Sequence, residues 1–197
     1  MRWREDEFEP QAEASAAADA AIAELRHRGS PSHDGLGARV AGYRASDQRL
    51  ELELQPARWS LRLGDDAAAS LSALCVARDL EGRWLAGRRA DWLATWAGRW
   101  ALGAGGSVEV GEHPADTLAR ELREEWSVSP DRLSVEALVR NPSGLVLFVG
   151  LATLPADAQV RPDDEHDDFA WWPADVSRWP AEADEPLRRM ASLLAAG

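Results

Sequence analysis

Three glutamates on one short segment are the residues in this chain best placed to do chemistry. Glu121, Glu124 and Glu125 stand at positions i, i+3 and i+4. On a helix that spacing puts the side chains on one face, within a turn of each other. Like charges so close repel by roughly a few tenths of a kcal/mol per exposed pair. A hard divalent cation offsets this repulsion. Mg²⁺ takes oxygen ligands, is held through one or two carboxylates, and keeps the rest of its shell for water and phosphate oxygens. Arg120 lies beside the trio, and the segment before it carries a glycine-rich turn, Ala104-Gly105-Gly106, and a further acid, Glu112. The glycines permit positive φ and close backbone approach.

The register of these residues is specific. Gly106 is followed by five residues and Glu112, then by seven residues and Arg120-Glu121-Leu122-Arg123-Glu124-Glu125-Trp126-Ser127-Val128. The stretch resembles the Nudix box, G-x5-E-x7-R-E-U-x-E-E-x-G-U with U a bulky apolar residue, and departs from it at one fixed position, where Ser127 replaces glycine. The resemblance implies a Nudix-type α/β/α sandwich with a mixed sheet in the α+β class. It also implies a divalent-metal-dependent hydrolase, using Mg²⁺ or Mn²⁺, that cleaves the diphosphate linkage of a nucleotide sugar, ADP-ribose, a dinucleotide or a nucleoside triphosphate. By the same resemblance Glu121, Glu124 and Glu125 bind the metal, the Gly106 carbonyl adds a ligand, Glu112 supports the site, and Arg120 fixes a glutamate through a salt bridge. The alternative within the family is a nucleotide sensor that binds without cleaving; an intact carboxylate set favours an enzyme. Isomerase chemistry on isoprenoid diphosphates finds no acid–thiol pair here.

Other side chains complete the expected site. The general base comes either from the box helix or from a later loop, where Glu165 is the candidate with Asp168 behind it. Glu124, Glu125, Glu165 and Arg120 are thus the side chains expected to act in the reaction. His166 suits either a base near neutral pH or an exposed place in a polar loop, and the exposed place is expected. Arg88 and Arg89 precede the box and suit either phosphate oxygens, through forked hydrogen bonds, or the surface. Trp92, Trp96 and Trp100 recur every four residues. They either pack against the core or form an aromatic wall, with Trp96 and Trp100 stacking on a base for roughly 1–3 kcal/mol.

The elements that must position these groups follow from pattern. Pro114 opens a helix where its missing N–H costs nothing, with Ala115, Leu118, Ala119 and Leu122 as its inward stripe. Ser127 falls just past the last turn, where a left-handed residue is common and glycine is favoured. Strands are expected at Leu71–Arg78, Arg83–Arg88, Trp100–Gly103, Ser134–Arg140 and Leu145–Thr153. A short helix at Ala174–Trp179 and a longer one at Asp184–Ala195 close this domain, which is taken as 67–197. Before it, 1–66 forms an appendage. It comprises a loose N-terminus over 1–10, an Ala-rich helix over 11–27 whose weak apolar face must dock, and a linker from Gly29 to Gly35. Short strands are expected at Ala38–Tyr43, Leu50–Leu54 and Trp59–Leu63, the last ended by Gly64-Asp65-Asp66. The appendage is expected to shape the cleft or to make a homodimer contact.

The totals set bounds. At 197 residues and 45% hydrophobic content the chain can bury one good core. A net charge of −12 argues against an extended nucleic-acid footprint, which needs a basic stripe. The expected partner is a small phosphate substrate, drawn in by metal and a few arginines. The one cysteine, Cys75, sits in an apolar run as a small hydrophobe and suits a reducing cytoplasm. No apolar run approaches the ~20 residues of a membrane helix, and the charged N-terminus does not read as a signal peptide.

Overall fold

The computed structural model describes residues 1–31, 34–47, 49–64 and 66–196. Ser32 and His33 of the expected linker, and Asp65 of the expected turn, lie outside the described residues. The chain divides into two compact units, one formed by Met1–Ala73, Gly106–Thr117 and Leu138–Phe148, the other by Leu74–Gly105, Leu118–Ala137 and Val149–Gly197.

The first unit is built on a hairpin. Strand β1 (Arg2–Trp3) pairs parallel with β3 (Arg49–Arg58), which pairs antiparallel with β2 (Leu36–Ser46). In β3 Leu52 and Leu54 are buried, whereas Leu50, nearer the hairpin tip, is 45% exposed. The N-terminus is not loose, a correction to the expectation. Beyond β1, Arg4 and Phe8 donate their N–H groups to Leu54 O and Pro56 O at 2.8 Å each, so the chain keeps to the flank of β3. Helix α1 (Ala12–His27) docks as its composition requires, burying Ala18, Ile22 and Leu25. Ala18 shares a cluster with Ala57 and Leu61, covered by Phe8 and Ala68. The stretch Trp59–Leu63, expected as a strand, is a 3-10 helix. Asp34 Oδ1 accepts the N–H of Ser60 at 2.9 Å, satisfying a donor at the start of that turn. Arg58 is clamped by Asp34 and Asp19 just before it. This unit also holds the segment after Gly106. Ala38 N–H donates to Val108 O at 2.8 Å, Gly37 bridges Glu109, and Arg62 Nη1 donates to Ser107 Oγ at 2.5 Å.

The larger sheet contains β4 (Leu71–Arg78), β5 (Trp84–Arg89), β6 (Trp100–Leu102), β7 (Ala104–Ser107), β8 (Arg132–Arg140), β9 (Val146–Thr153) and β10 (His166–Trp172). Its order is β10-β5-β4-β9-β8, with β6 paired to β5 and β7 to β4. The α+β class is as expected. Within the second unit tryptophans fill the core. Trp84 meets Trp179 edge-on at 6.0 Å, Trp179 meets Trp172 at 4.9 Å, and Trp172 meets Trp100 at 5.4 Å between ring centroids. The expected short helix at Ala174–Trp179 shrinks to one 3-10 turn, Val176–Arg178, capped by Asp175. Helix α3 (Glu185–Ala195) is capped by Asp184 and buries Leu187 and Ala191.

Between β7 and β8 lies the box helix, α2 (Pro114–Trp126). Its buried stripe contains Thr117 and Leu118, Glu121 and Leu122, and Glu125 and Trp126. Ala115 and Ala119, expected in that stripe, are half-buried at its border. Ser127 ends the helix at φ +57°, its N–H donating to Arg123 O at 3.0 Å. At Gly103, φ is +64° and a Cβ would meet Cys75 O at 1.9 Å. Its carbonyl accepts the indole N–H of Trp126 at 2.9 Å. Two substitutions test this backbone by chemical denaturation. Ser127→Gly is expected to stabilise by up to about 1 kcal/mol, because glycine carries no Cβ penalty in the left-handed region. Gly103→Ala is expected to destabilise by about 3 kcal/mol or more, from the clash and the positive φ together.

Candidate active site

Two of the three glutamates on α2 are buried, which is unusual for carboxylates on a short helix. Glu121 is 8% exposed and Glu125 3%. They lie one turn apart in the stripe that Leu118, Leu122 and Trp126 anchor, so the packing of the helix carries them inside. Glu124 points outward, its side chain 56% exposed. Arg120 bridges the pair on its own side of the helix, with Nη1 2.8 Å from both Glu121 Oε1 and Glu124 Oε2. The salt-bridge role expected for Arg120 is present, and it involves two carboxylates.

The distal acidic loop reaches this helix through backbone hydrogen bonds. Asp163 N–H donates to Glu125 O at 2.9 Å and Arg161 N–H to Trp126 O at 3.0 Å, satisfying carbonyls that a helix end leaves open. Ala90 N–H donates to Glu165 O at 2.8 Å, and Arg89 Nη2 stands 3.5 Å from Glu165 Oε2. Glu165 is thereby placed on the strand end that Arg89 occupies. Burial pushes the Glu121 carboxyl up to about 7, opposed by Arg120 and reinforced by the charges of Glu124 and Glu165. Glu125 is raised well above the ordinary range by burial, against the pull of a hydrogen bond from Gly105 N–H at 2.7 Å, with Glu165 and Glu121 adding to the rise. Burial raises Glu165 too, while Arg89 lowers it. These three acids feel one another inside the protein.

His166 departs from expectation. It is the first residue of β10, its side chain only 1% exposed, not a solvated loop residue. The register of β10 on β5 shifts between His166 and Asp168. Such a bulge re-aims the side chain beside it, and here the imidazole turns onto Trp126. Asp168 stays exposed and accepts the N–H of Phe169 at 2.8 Å. Arg88 lies half-buried in β5, in register with Asp168 and Trp100.

The tryptophans spaced by four do not share a helix face, because Asp91–Arg99 is a run of turns. Trp96 has φ +59°, is 42% exposed, and carries the Arg99 guanidinium 4.6 Å above its ring. Trp100 lies against Trp172 and the core. Gly106 is half-buried at the end of β7, and Glu112 Oε2 accepts the N–H of Glu109 at 3.1 Å, closing the turn before α2. Cys75 is buried, its thiol pushed up to about 12, which leaves it inert. Sequence reasoning missed the roles of Gly105 and Asp163 and put His166 on the surface. Spacing alone carries no signal for backbone donors or a strand bulge.

Among the described residues no three His, Cys, Asp or Glu side chains already converge as a metal-binding group. The donor chemistry nevertheless suits a hard cation. Glu125 Oε2 is buried without a hydrogen-bond partner, and the acids around it are desolvated and mutually repelled, a combination that a divalent ion relieves. The exposed Glu124 is held only by its surface ion pair with Arg120, worth about 0–1 kcal/mol.

Comparison with known proteins came to the same stretch. A model of the NUDIX domain matches residues 69–194. The chain is similar to nucleoside triphosphatase NudI of Escherichia coli O17:K52:H18, 30% identical over 111 residues, covering 50% of this chain and 78% of the relative. It is 29% identical over 120 residues to nucleoside triphosphatase NudI of Escherichia fergusonii, covering 54% and 84%. Among solved structures, the NUDIX domain of Shewanella oneidensis NrtR, complexed with ADP ribose, superposes with a TM-score of 0.52 at 22% identity over 64% of this chain and 86% of that one. DR0079 from Deinococcus radiodurans gives 0.51 at 18% identity over 63% and 82%. No described helix is long and apolar enough to cross a membrane.

The raised carboxylates give a signed prediction. Folded protein holds the Glu121 proton to about pH 7, whereas an unfolded chain releases it near 4.5. More protons are then bound in the folded state, so stability of the metal-free protein falls as pH rises across that window, by on the order of 3 kcal/mol for Glu121. Thermal melts in EDTA are expected to show Tm falling from pH 5 to pH 8. Mg²⁺ or Mn²⁺ is expected to raise Tm more at pH 8 than at pH 5, and equal rises at both would contradict the carboxylate assignment.

Proposed function

The chain belongs to the Nudix family, and from that premise we propose that it is a divalent-metal-dependent diphosphohydrolase acting on a small nucleotide. One observation carries the reading: Glu121 and Glu125 are held inside the packed face of α2, coupled to each other and to Glu165. A helix that served only as a solvated, salt-bridged surface would put such residues in water. Retaining desolvated acids costs stability, and the family's chemistry is what that cost supports.

In this reading Glu121, Glu124 and Glu125, with the Gly106 carbonyl, would hold Mg²⁺ or Mn²⁺, and Glu112 secures the turn that leads into the helix. When bound, such an ion neutralises phosphate oxygens and acidifies water. Arg120 restrains Glu121 and Glu124 until the ion competes for them. Gly105 N–H fixes one oxygen of Glu125. Glu165 is the base candidate in the distal loop: burial raises its proton affinity, and Arg89 holds its carboxylate in place. Arg89, on the face of β5 that Gly87 turns to Trp126, is the candidate for substrate phosphate beside Glu165, whereas Arg88, one residue earlier, falls on the opposite face with Trp84 and Ala86. Trp96, exposed on its loop, is the aromatic candidate for a base; Trp100 serves chiefly as packing. Likeness to the nucleoside triphosphatases makes nucleoside triphosphates the first substrates to try, with ADP-ribose, nucleotide sugars and dinucleotides beside them.

Incubation with that panel and Mg²⁺ is expected to release a nucleoside monophosphate together with diphosphate or a phosphorylated partner. EDTA abolishes the release and added metal restores it. Glu124→Gln and Glu125→Gln are each expected to lower kcat by about 10²-fold or more while the far-ultraviolet circular dichroism stays that of the parent. Tight nucleotide binding with no turnover across the panel would point to a sensor and overturn the enzymatic reading.

A further inference from the structure

His166 brings three buried polar atoms without hydrogen-bond partners together. Neither of its ring nitrogens has a hydrogen-bond partner, and neither does Glu125 Oε2. Leaving a buried polar group unpaired costs about 1–3 kcal/mol, so their coincidence asks for a reason. Two neighbours confine the ring. It lies on Trp126 with centroids 4.3 Å apart. Beside both rings strand β5 offers Gly87, where a Cβ would meet His166 Cδ2 at 2.2 Å and the Trp126 ring at 2.7 Å. The missing side chain at Gly87 is thus what admits both rings. In this slot Nε2 stands 3.6 Å from Glu125 Oε2, and Nδ1 stands 3.5 Å from Asp163 Oδ1. Asp163 Oδ1 in turn accepts the N–H of Glu165 at 2.9 Å. The other oxygen of Glu125 is occupied by Gly105 N–H.

We propose that His166 is a positioning residue for the reaction, presenting Nε2–H to Glu125 Oε2 and fixing the rotation of that carboxylate. The proposal rests on Glu125 being a cation ligand. Gly105 N–H and the imidazole together grip both carboxylate oxygens, leaving their remaining lone pairs aimed in one direction. A carboxylate so fixed gives up little rotational freedom when the ion arrives, which is how hydrogen bonds behind a ligand strengthen metal binding. Closing the 3.6 Å gap to hydrogen-bond length takes less than about 1 Å. The loop that carries Glu165 is tied to the box helix separately, by the Asp163 N–H on Glu125 O at 2.9 Å.

The test uses the full chain, with Mn²⁺ affinity by isothermal titration calorimetry, substrate omitted, as its first readout. His166→Phe keeps an aromatic ring on Trp126 and removes the donor. His166→Gln returns an amide N–H near the Nε2 position. His166→Phe is expected to bind Mn²⁺ about 10–100-fold more weakly and to lose kcat more than KM, with His166→Gln recovering most of both. Parent-like Mn²⁺ affinity in folded His166→Phe overturns the proposal. So does equal weakness in both variants, which would assign the effect to ring shape. Should His166→Phe fail to fold, nitrogen-15 spectra of the Mg²⁺-loaded parent decide: a proton on His166 Nε2 supports the proposal, and a bare Nε2 overturns it. Parent-like Mn²⁺ affinity in Glu125→Gln would instead overturn the underlying ligand assignment, whatever His166→Phe shows.

Discussion

Two carboxylates carried into the packed face of a helix are the constraint around which the second unit is arranged. Glu121 and Glu125 share that face with Leu118, Leu122 and Trp126, which are wholly buried. Apolar burial of this kind contributes about 1.5–3 kcal/mol per large side chain, enough to hold the helix down while two acids are desolvated. The acids cannot escape by rotating the helix, because rotation would expose Trp126 and strip its indole N–H from Gly103 O. The chain answers with a few fixed donors: Gly105 N–H on Glu125 and Arg120 on Glu121. The balance left over is the raised proton affinity of Glu121 and Glu125.

Glycines and one serine set how closely the pieces approach. Gly103, the bend between β6 and β7, lets the chain pass against Cys75, and Gly87 makes room for Trp126 and His166. Ser127 takes the left-handed conformation that glycine would take more cheaply.

In the first unit, the hairpin of β2 and β3 is joined to the segment that precedes α2. Hydrogen bonds from Ala38 to Val108, and from Arg62 to Ser107, fasten residues from before position 66 to the start of the box. Glu112 closes the adjacent turn on Glu109. The N-terminal residues thus brace a loop on which the proposed chemistry depends, and their place in the fold is structural as well as sequential.

The sequence by itself determined the helix with its acids, because a 3.6-residue period and fixed spacings are local properties. It determined β4 for the same reason, since Leu71–Arg78 is a continuous apolar run bounded by turns. It also placed Ser127 in a left-handed turn, from its position after the last helical residue. Tertiary structure decided which glutamates go inside, because Glu121 and Glu124 are equally acidic and only the direction of the core separates them. It turned Trp59–Leu63 from a strand into a 3-10 turn through a carboxylate at Asp34, and it fixed residues 1–10 on β3 through backbone bonds that no side-chain pattern announces. It buried His166, since a bulge in register is a property of two strands together. Local periodicity is written in one segment at a time, whereas burial, hydrogen-bond partners and proton affinity depend on what another part of the chain brings alongside.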